Sequence, residues 1–383
     1  MQRVLIFRNH VLPSTQTFIA AQARALRQFT PYLVGLGPAA EQLPIEFGVK
    51  LLTTDNSARS RAIRNIYKYV GVAPRFHDQI RELGATLIHA HFAEDGVMAM
   101  HLAKRLQLPL VVTLHGGFET FNDAAHRKTA NGLLYLSRRA EMWKLASVFL
   151  CVSEFIRETA LRKGYPPEKL RLHHIGIDTS LFTPRDEATD KNLILFVGRL
   201  VEKKGCSILL KAMSLVQAAE PSAHLVIIGN GPLRNVLEEQ AASSGISYTF
   251  LGSQSSEVIR SWLARARVFC APSIIAKDGD SEGLGMVLAE AQAMKVPVVS
   301  SFHGGIPDIV LDGQTGLLAP EGDHVKLAEF LVKFLHDDKL WNRTRESAYR
   351  WINESFDLAR QTMELEVIYS QVISSGICCR KRR

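Results

Sequence analysis

Short apolar, β-branched runs alternate with stretches of helical periodicity along almost the whole chain. In the first half they are RVLIF (3–7), PYLVGLG (31–37), TLIHAHF (86–92), PLVVTLHG (109–116), SVFLCVS (147–153) and KLRLHHIG (169–176). In the second half they are NLILFVG (192–198), HLVIIGNG (224–231), YTFLGS (248–253), RVFCAPS (267–273), VPVVSS (296–301) and TGLLAP (315–320). Runs apolar on both faces and joined by helical connections predict parallel strands covered on both sides. Two such series are more than one compact sheet usually holds. The pattern predicts an α/β protein of two doubly wound, Rossmann-like domains.

The periodicity breaks in TSLFTPRDEATDKN (179–192), where threonines, a proline and a charge cluster replace it. The expected division is a first domain over 1–185 and a second over 186–354. From about 355 the chain reads as helix again, with Leu358, Met363, Leu365, Val367 and Ile368 as its apolar members. This helix, about 355–383, is expected to pack back on the first domain. In RSRAIRNIYKYV (59–70), Ile63, Ile66, Tyr67 and Val70 share one helical face, and Arg61, Arg64 and Lys68 the opposite one. Such a basic amphipathic helix reads either as a membrane-surface element or as a surface helix packed on its own domain.

Length and composition agree with two globular domains: 383 residues, 46% hydrophobic and 22% charged. Cys151, Cys206 and Cys270 lie in or beside apolar or glycine-flanked segments without metal-ligand spacing, which suits buried reduced thiols of a cytoplasmic protein. Cys378 and Cys379 stand in a polar tail. The start MQRVLIFRNH is too short and interrupted for a signal peptide, and no run approaches the ~18 apolar residues of a spanning helix. The formal charge of +8, to which the terminal RKRR contributes half, favours an anionic partner or a merely solvated tail.

The densest chemistry lies in SEGLGMVLAEA (281–291). A polar, glycine-containing turn opens a helix whose buried stripe is expected to be Leu284, Val287, Leu288, Ala291 and Met294. Glu282 and Glu290 would stand up to about 12 Å apart along the helix axis. The free N–H groups of the first turn, Leu284 to Val287 with Gly285 and Met286 among them, would lie between the two carboxylates. One element would thus offer a carboxylate for sugar hydroxyls, amides and a helix dipole for a diphosphate, and a carboxylate for ribose. In GRLVEKKG (198–205), Arg199 and Lys204 leave a strand's carboxyl end, where ligands bind in such sheets, and two cations there suit a diphosphate. IGNGPLR (228–234) matches neither a Walker loop nor G-x-G-x-x-G and reads as a tight turn near a nucleotide. GGIPDIV (304–310) and DGQTGLLAP (312–320) are further turns, as readily structural as functional.

His115, in TLHGG (113–117), stands at a strand end before two glycines and can hydrogen-bond a substrate hydroxyl or serve the core. The alternation in HAHF (89–92) points His89 and His91 to one face, with no third metal ligand in view.

In order and spacing, TLHGG, CVSEFIRE (151–158), HIGIDTSLF (174–182), FVGRLVEKKG (196–205), IGNGPLR and the Glu282-to-Glu290 run resemble the retaining glycosyltransferases of family 4. The resemblance covers about residues 84–323 and, more loosely, both ends. APSIIAKDGDSEGLGMVLAEA (271–291), followed by GGIPDIV, resembles the branch that builds bacterial exopolysaccharides such as colanic acid. It implies the GT-B architecture, two Rossmann-like domains facing a cleft, with an acceptor-binding first domain and a donor-binding second. By it, Arg199 and Lys204 bind the donor diphosphate, Glu282 holds the sugar and Glu290 the ribose. The amides of Gly283 to Val287 meet the distal phosphate, and His115 lies near the anomeric carbon. Many members carry a glycine-rich loop after the first strand. Here it is NHVLPSTQTF (9–18), whose Ser14, Thr15 and Gln16 are candidates for acceptor or diphosphate contact.

The resemblance implies a hexosyltransferase using a UDP- or GDP-sugar as co-substrate, with no cofactor and no metal. Its expected partners are that donor, a polyprenyl-diphosphate-linked saccharide and an anionic membrane surface, not nucleic acid. Its expected place is the cytoplasm, peripheral on the inner face of the membrane. Two other readings stay open: an epimerase or phosphorylase on the same architecture, and a non-catalytic nucleotide-binding, membrane-associated protein.

Overall fold

A computed structural model describes residues 1–11, 16–39, 45–185 and 187–380. The chain divides into two compact units, residues 1–176 with 358–383, and residues 177–357.

Unit 1 carries seven strands: β1 (Gln2–Val11), β2 (Phe29–Pro38), β3 (Gly48–Leu51), β4 (Leu87–His91), β5 (Leu110–Leu114), β6 (Val148–Cys151) and β7 (Leu170–Leu172). They form one sheet in the order β3-β2-β1-β4-β5-β6-β7. Every pairing is parallel, with Phe7 opposite Ala90 and His91 opposite Thr113. Strands such as LVVTL in β5 are buried throughout, because helices cover both faces. Chain order reverses between β1 and β4, which leaves a crevice at their carboxyl ends.

Unit 2 repeats the scheme with β8 (Asp190–Val197), β9 (His224–Ile228), β10 (Tyr248–Gly252), β11 (Ala266–Ala271), β12 (Val298–Ser301) and β13 (Gly316–Ala319). Their order is β10-β9-β8-β11-β12-β13, again all parallel. Here the reversal lies between β8 and β11.

The division between the units falls at 176/177, not at the expected 185/186. Ile177 N–H donates to the Phe356 carbonyl (2.8 Å) and Thr179 Oγ1 to Asp357 (2.8 Å), so the start of the linker is tied to the end of unit 2's last helix. The following helix, Leu358–Arg380, packs on unit 1. Leu365, Ile368 and Tyr369 join Val4, Phe29, Leu87, Val111 and Leu150 in one cluster. The Glu366 carboxylate accepts the backbone N–H groups of Arg27, Gln28 and Phe29 where β2 begins. Of the helix's apolar members, Met363 and Val367 face outward.

The helix Ala58–Val70 buries neither expected face whole: Tyr67 of the apolar face is inside and Arg61 of the basic face is outside. Arg64, Tyr67 and Lys68 are buried, whereas Ile63, Ile66 and Val70 are exposed. The cause lies in partners outside the helix. Arg64 Nη1 donates to Thr53 Oγ1 and to the Asp55 carbonyl (2.8 Å each), and Nη2 to Asn56 Oδ1 (3.1 Å). Lys68 Nζ donates to Asn131 Oδ1 (3.2 Å) on the neighbouring helix Ala130–Leu145. A buried cation with hydrogen-bond partners is tolerated, and Tyr67 wedges its ring among Phe76, His77 and His101.

Cys151, Cys206 and Cys270 are buried free thiols. The side chains of Cys378 and Cys379 lie outside the described residues.

Candidate active site

In unit 2 the reversal point carries the chemistry. β8 ends at Val197, and the turn after it places Arg199 on the surface. A one-turn 3₁₀ helix, Glu202–Lys204, follows. β11 ends at Ala271, and a long loop runs from it to the helix Met286–Ala293. The two loops are laced together. Ile274 N–H donates to the Lys203 carbonyl (2.8 Å), and Lys203 Nζ pairs with Asp280 Oδ1 (3.0 Å). Lys204 Nζ contacts the Glu282 carboxylate, both side chains being largely buried. Burial alone would push the Glu282 carboxyl up, but the ammonium groups of Lys204 and Lys203 outweigh it and hold it at about 2. Glu282 is therefore a fixed carboxylate at any physiological pH.

Glu282 does not stand on the helix, as the sequence suggested. The helix begins only at Met286, because Gly285 takes φ 90° and ends the loop as its N-cap. The amides of Met286 and Val287 open the helix and, by position, have no intrahelical acceptor. The helix is buried nearly all round, with Leu284, Leu288, Ala289, Ala291 and Met294 inside and Val287 only half-buried. Glu290 lies about one turn into the helix. Its burial pushes the carboxyl up to about 7, opposed by Lys204. Lys204 is thus the cation felt by both glutamates.

The backbone of Glu282 is held from the loop after β12. Its N–H donates to His303 Nε2 (3.3 Å), and its carbonyl accepts the Gly305 N–H (2.9 Å). Because Nε2 accepts, the ring proton sits on Nδ1, which donates to Glu321 Oε2 (2.8 Å). Glu321 Oε1 also accepts the Ile275 N–H (2.8 Å), so one carboxylate braces both loops. Gly304 packs so closely that a Cβ there would stand 2.3 Å from the Glu282 carbonyl oxygen. GGIPDIV is thus the seat of Glu282. His303, Glu321, Lys203 and Asp280 were not singled out from sequence. SFHGG, a histidine and two glycines directly after a strand, was the available signal.

IGNGPLR has a structural duty. A Cβ on Gly229 would meet the Gly198 carbonyl oxygen at 1.9 Å. The Leu200 N–H donates to the Asn230 carbonyl (2.9 Å), so this turn locks the Arg199 loop in place.

In unit 1, His115 follows β5 and its Nε2 meets His91 Nδ1 at 2.9 Å. The rings of His91 and His115 stack at 5.2 Å. Burial, helped by Arg8, holds both imidazoles well below their ordinary value, so they are neutral and share one proton at that contact. His115 therefore serves as a hydrogen-bonding group and not as an acid at neutral pH. His89 shares a face with His91 but is a core residue, its two nitrogens meeting Tyr369 Oη and Thr113 Oγ1 at 2.6 Å each. Among the described residues, no group of three or more His, Cys, Asp or Glu side chains has metal-binding geometry.

Arg8, at the end of β1, pairs with Asp95 and donates to the His91 carbonyl (2.6 Å) and to Gln16 Oε1 (2.8 Å). Gln16 is thereby fixed on Arg8. Ser14 and Thr15 lie outside the described residues. Glu119, two residues beyond Gly117, is fully buried and accepts the Ala93 N–H through Oε1 (2.8 Å). It thereby anchors the bend at Phe92, whose φ is 73°. Burial raises its carboxyl to about 7.

Two family models cover most of the chain: Glycosyltransferase Family 4 over residues 15–181 and Glycosyl transferases group 1 over residues 179–351. The putative colanic acid biosynthesis glycosyltransferase WcaL of Salmonella typhimurium is 31% identical over 283 residues, 70% of this chain and 68% of that protein. The amylovoran biosynthesis glycosyltransferase AmsK of Erwinia amylovora is 30% identical over 66% of this chain, a match spanning only 62% of its own length. In fold, the chain superposes on Anabaena HepE in complex with UDP and glucose, with a TM-score of 0.78, 18% identity and coverage of 97% of this chain and 100% of that one. The chain belongs to glycosyltransferase family 4, among the group 1 glycosyl transferases of GT-B architecture.

Proposed function

We propose that this glycosyltransferase moves a hexose from a UDP- or GDP-linked sugar to a lipid-linked saccharide, with retention at the anomeric carbon. The product belongs to an exopolysaccharide or related surface glycan. The observation that carries the reading is the Lys204–Glu282 contact at the reversal point of the unit 2 sheet, with Glu290 about one turn into the helix that follows. One cation between two carboxylates matches a donor with a diphosphate between two hydroxyl-bearing rings. Lys204 and the exposed Arg199 take the diphosphate, assisted by the amides at Met286 and Val287. Glu282 takes sugar hydroxyls, and Glu290 the ribose diol.

In the reaction, the bond from the anomeric carbon to the diphosphate oxygen breaks and a bond to the acceptor hydroxyl oxygen forms on the same face. The departing phosphate oxygen takes the acceptor's proton. The protein contributes positioning and a preorganised positive field for the leaving diphosphate. Lys204, Arg199 and the helix amides supply that field, so the scheme calls on no cofactor or divalent ion. In unit 1, neutral His115 is a candidate for a hydrogen bond to a substrate hydroxyl. The names of the colanic acid and amylovoran relatives support the glycan class, and UDP with glucose on HepE supports the donor class.

The test is release of UDP or GDP from a panel of nucleotide sugars with lipid-linked saccharide acceptors. Acceptor-dependent release supports the reading. Conversion of a donor with no acceptor present would instead place the chain with the epimerases.

A further inference from the structure

The loop after β12 holds an aromatic ring in solvent beside the seat of Glu282. Among the described residues, Phe302 is the only phenylalanine left mostly exposed, at 63%. It is the first residue past the carboxyl end of β12, the end at which such sheets take ligands. Its backbone is fixed. The Phe302 N–H donates to the Ala319 carbonyl (2.8 Å), one bond beyond the Ser301–Ala319 pair of β12 and β13. The next residue is His303, whose Nε2 accepts the Glu282 N–H (3.3 Å). The Phe302 ring and the Glu282 carboxylate therefore stand on one support. Ile275, 56% exposed, is a second apolar side chain on it. The Ile275 N–H and the His303 Nδ1–H both donate to Glu321 (2.8 Å each), so a single carboxylate clasps the segments that carry Ile275 and Phe302.

A lone exposed apolar residue is ordinary on a protein surface. Two of them on braced segments, tied through His303 and Glu321 to a largely buried carboxylate, make a built feature. A pyranose is amphipathic, with hydroxyls around its edge and C–H groups on its faces. The hydroxyls need an acceptor such as the Glu282 carboxylate. The C–H hydrogens carry partial positive charge and are drawn to the negative face of an aromatic ring. A carboxylate and an exposed aromatic ring on one support thus match both characters of a sugar. On the reading that Glu282 holds the donor sugar, we propose that Phe302, flanked by Ile275, is the platform for the C–H face of that hexose. Phe302 is then a determinant for the sugar and not for the nucleotide.

The experiment is calorimetric titration of the full chain with UDP-glucose, UDP-galactose and GDP-mannose, and with UDP and GDP alone. In Phe302→Ala, affinity for the tightest nucleotide sugar is expected to fall roughly three- to tenfold, the range for loss of one aromatic stacking partner. Affinity for the free nucleotide is expected to stay at the wild-type level. Phe302→Tyr, which keeps the ring, is expected to restore the sugar affinity, and Phe302→Leu is not. The side chain is exposed, so these variants should melt as the wild type does, which confirms their folding. Unchanged nucleotide-sugar affinity in Phe302→Ala would overturn the proposal. So would an equal loss for sugar-bearing and free nucleotide, or full restoration by Phe302→Leu. Each of those outcomes leaves the nucleotide site standing, whereas a wild type that binds neither UDP nor GDP would remove the glycosyl-donor reading itself and this platform with it.

Discussion

Lys204 Nζ and the Glu282 carboxylate, 78 residues apart in sequence, meet where the strand order of unit 2 reverses. Neither residue is on a regular α-helix, and each is aimed by a loop that leaves the carboxyl end of a strand. Their contact fixes the charge state of Glu282 and sets a cation within the field of Glu290.

Lys204→Ala is expected to strand a largely buried carboxylate. Unfolding free energy should fall by about 3 kcal/mol, read by urea denaturation at neutral pH. Turnover should fall by roughly 10²- to 10³-fold, as for loss of one charge-stabilising donor. The depressed Glu282 value gives the sign with pH. Its contribution is full above the ordinary carboxylate value of 4.5 and disappears as pH falls towards 2. The acid limb of the wild-type stability curve should therefore be shallower in the variant.

His303 positions Glu282 without reaching substrate. His303→Ala removes the acceptor for the Glu282 N–H, so kcat should fall roughly tenfold to a hundredfold while UDP affinity stays near wild type. Glu321→Gln keeps one oxygen for the His303 Nδ1–H but sets its NH2 against the Ile275 N–H, so its loss of kcat should be smaller than that of His303→Ala without being nil. Equal losses of kcat and UDP affinity in His303→Ala would show that the residue acts on the nucleotide itself.

Glu290, raised to about 7 by burial, predicts a pH-dependent donor affinity. A carboxylate accepts both hydroxyls of a ribose diol, whereas the protonated acid accepts less well. The donor KM should therefore fall as pH rises from 6 to 8 (a window set around that value). In Glu290→Gln the step should vanish and the KM stay high throughout.

Glu119 makes the opposite kind of prediction, one of stability. Its folded value is raised above that of an unfolded carboxyl, so the folded state holds its proton more tightly, and the group costs stability as pH climbs from 4.5 through 7. Glu119→Gln keeps the oxygen that accepts the Ala93 N–H and removes the charge. The variant should equal the wild type in Tm only below the unfolded value of 4.5 and exceed it increasingly as pH rises through 7.

The parallel, covered sheets were readable because runs such as NLILFVG and PLVVTLHG are apolar on both faces. β3, GVKL, escaped notice because it has four residues, one of them charged and one glycine. Lys204 and Glu282 were singled out separately from sequence, and the structure brings them into contact. The start of the helix supposed to carry Glu282 was not legible, because Gly285 at φ 90° delays it to Met286. Which side chains of the helix Ala58–Val70 are buried was not legible for a related reason. Periodicity ranks faces by hydrophobicity, but the partners of Arg64 and Lys68 lie in Thr53, Asn56 and Asn131, which no local pattern reports.

The central claim, that Lys204 and Glu282 belong to a nucleotide-sugar site, is tested most directly by thermal shift against UDP- and GDP-linked sugars in the wild type and in Lys204→Ala. A ligand that binds only the folded chain raises Tm by mass action. The account predicts a saturable rise with at least one donor in the wild type and its loss in Lys204→Ala. No rise with any donor, or an equal rise in the variant, would contradict it.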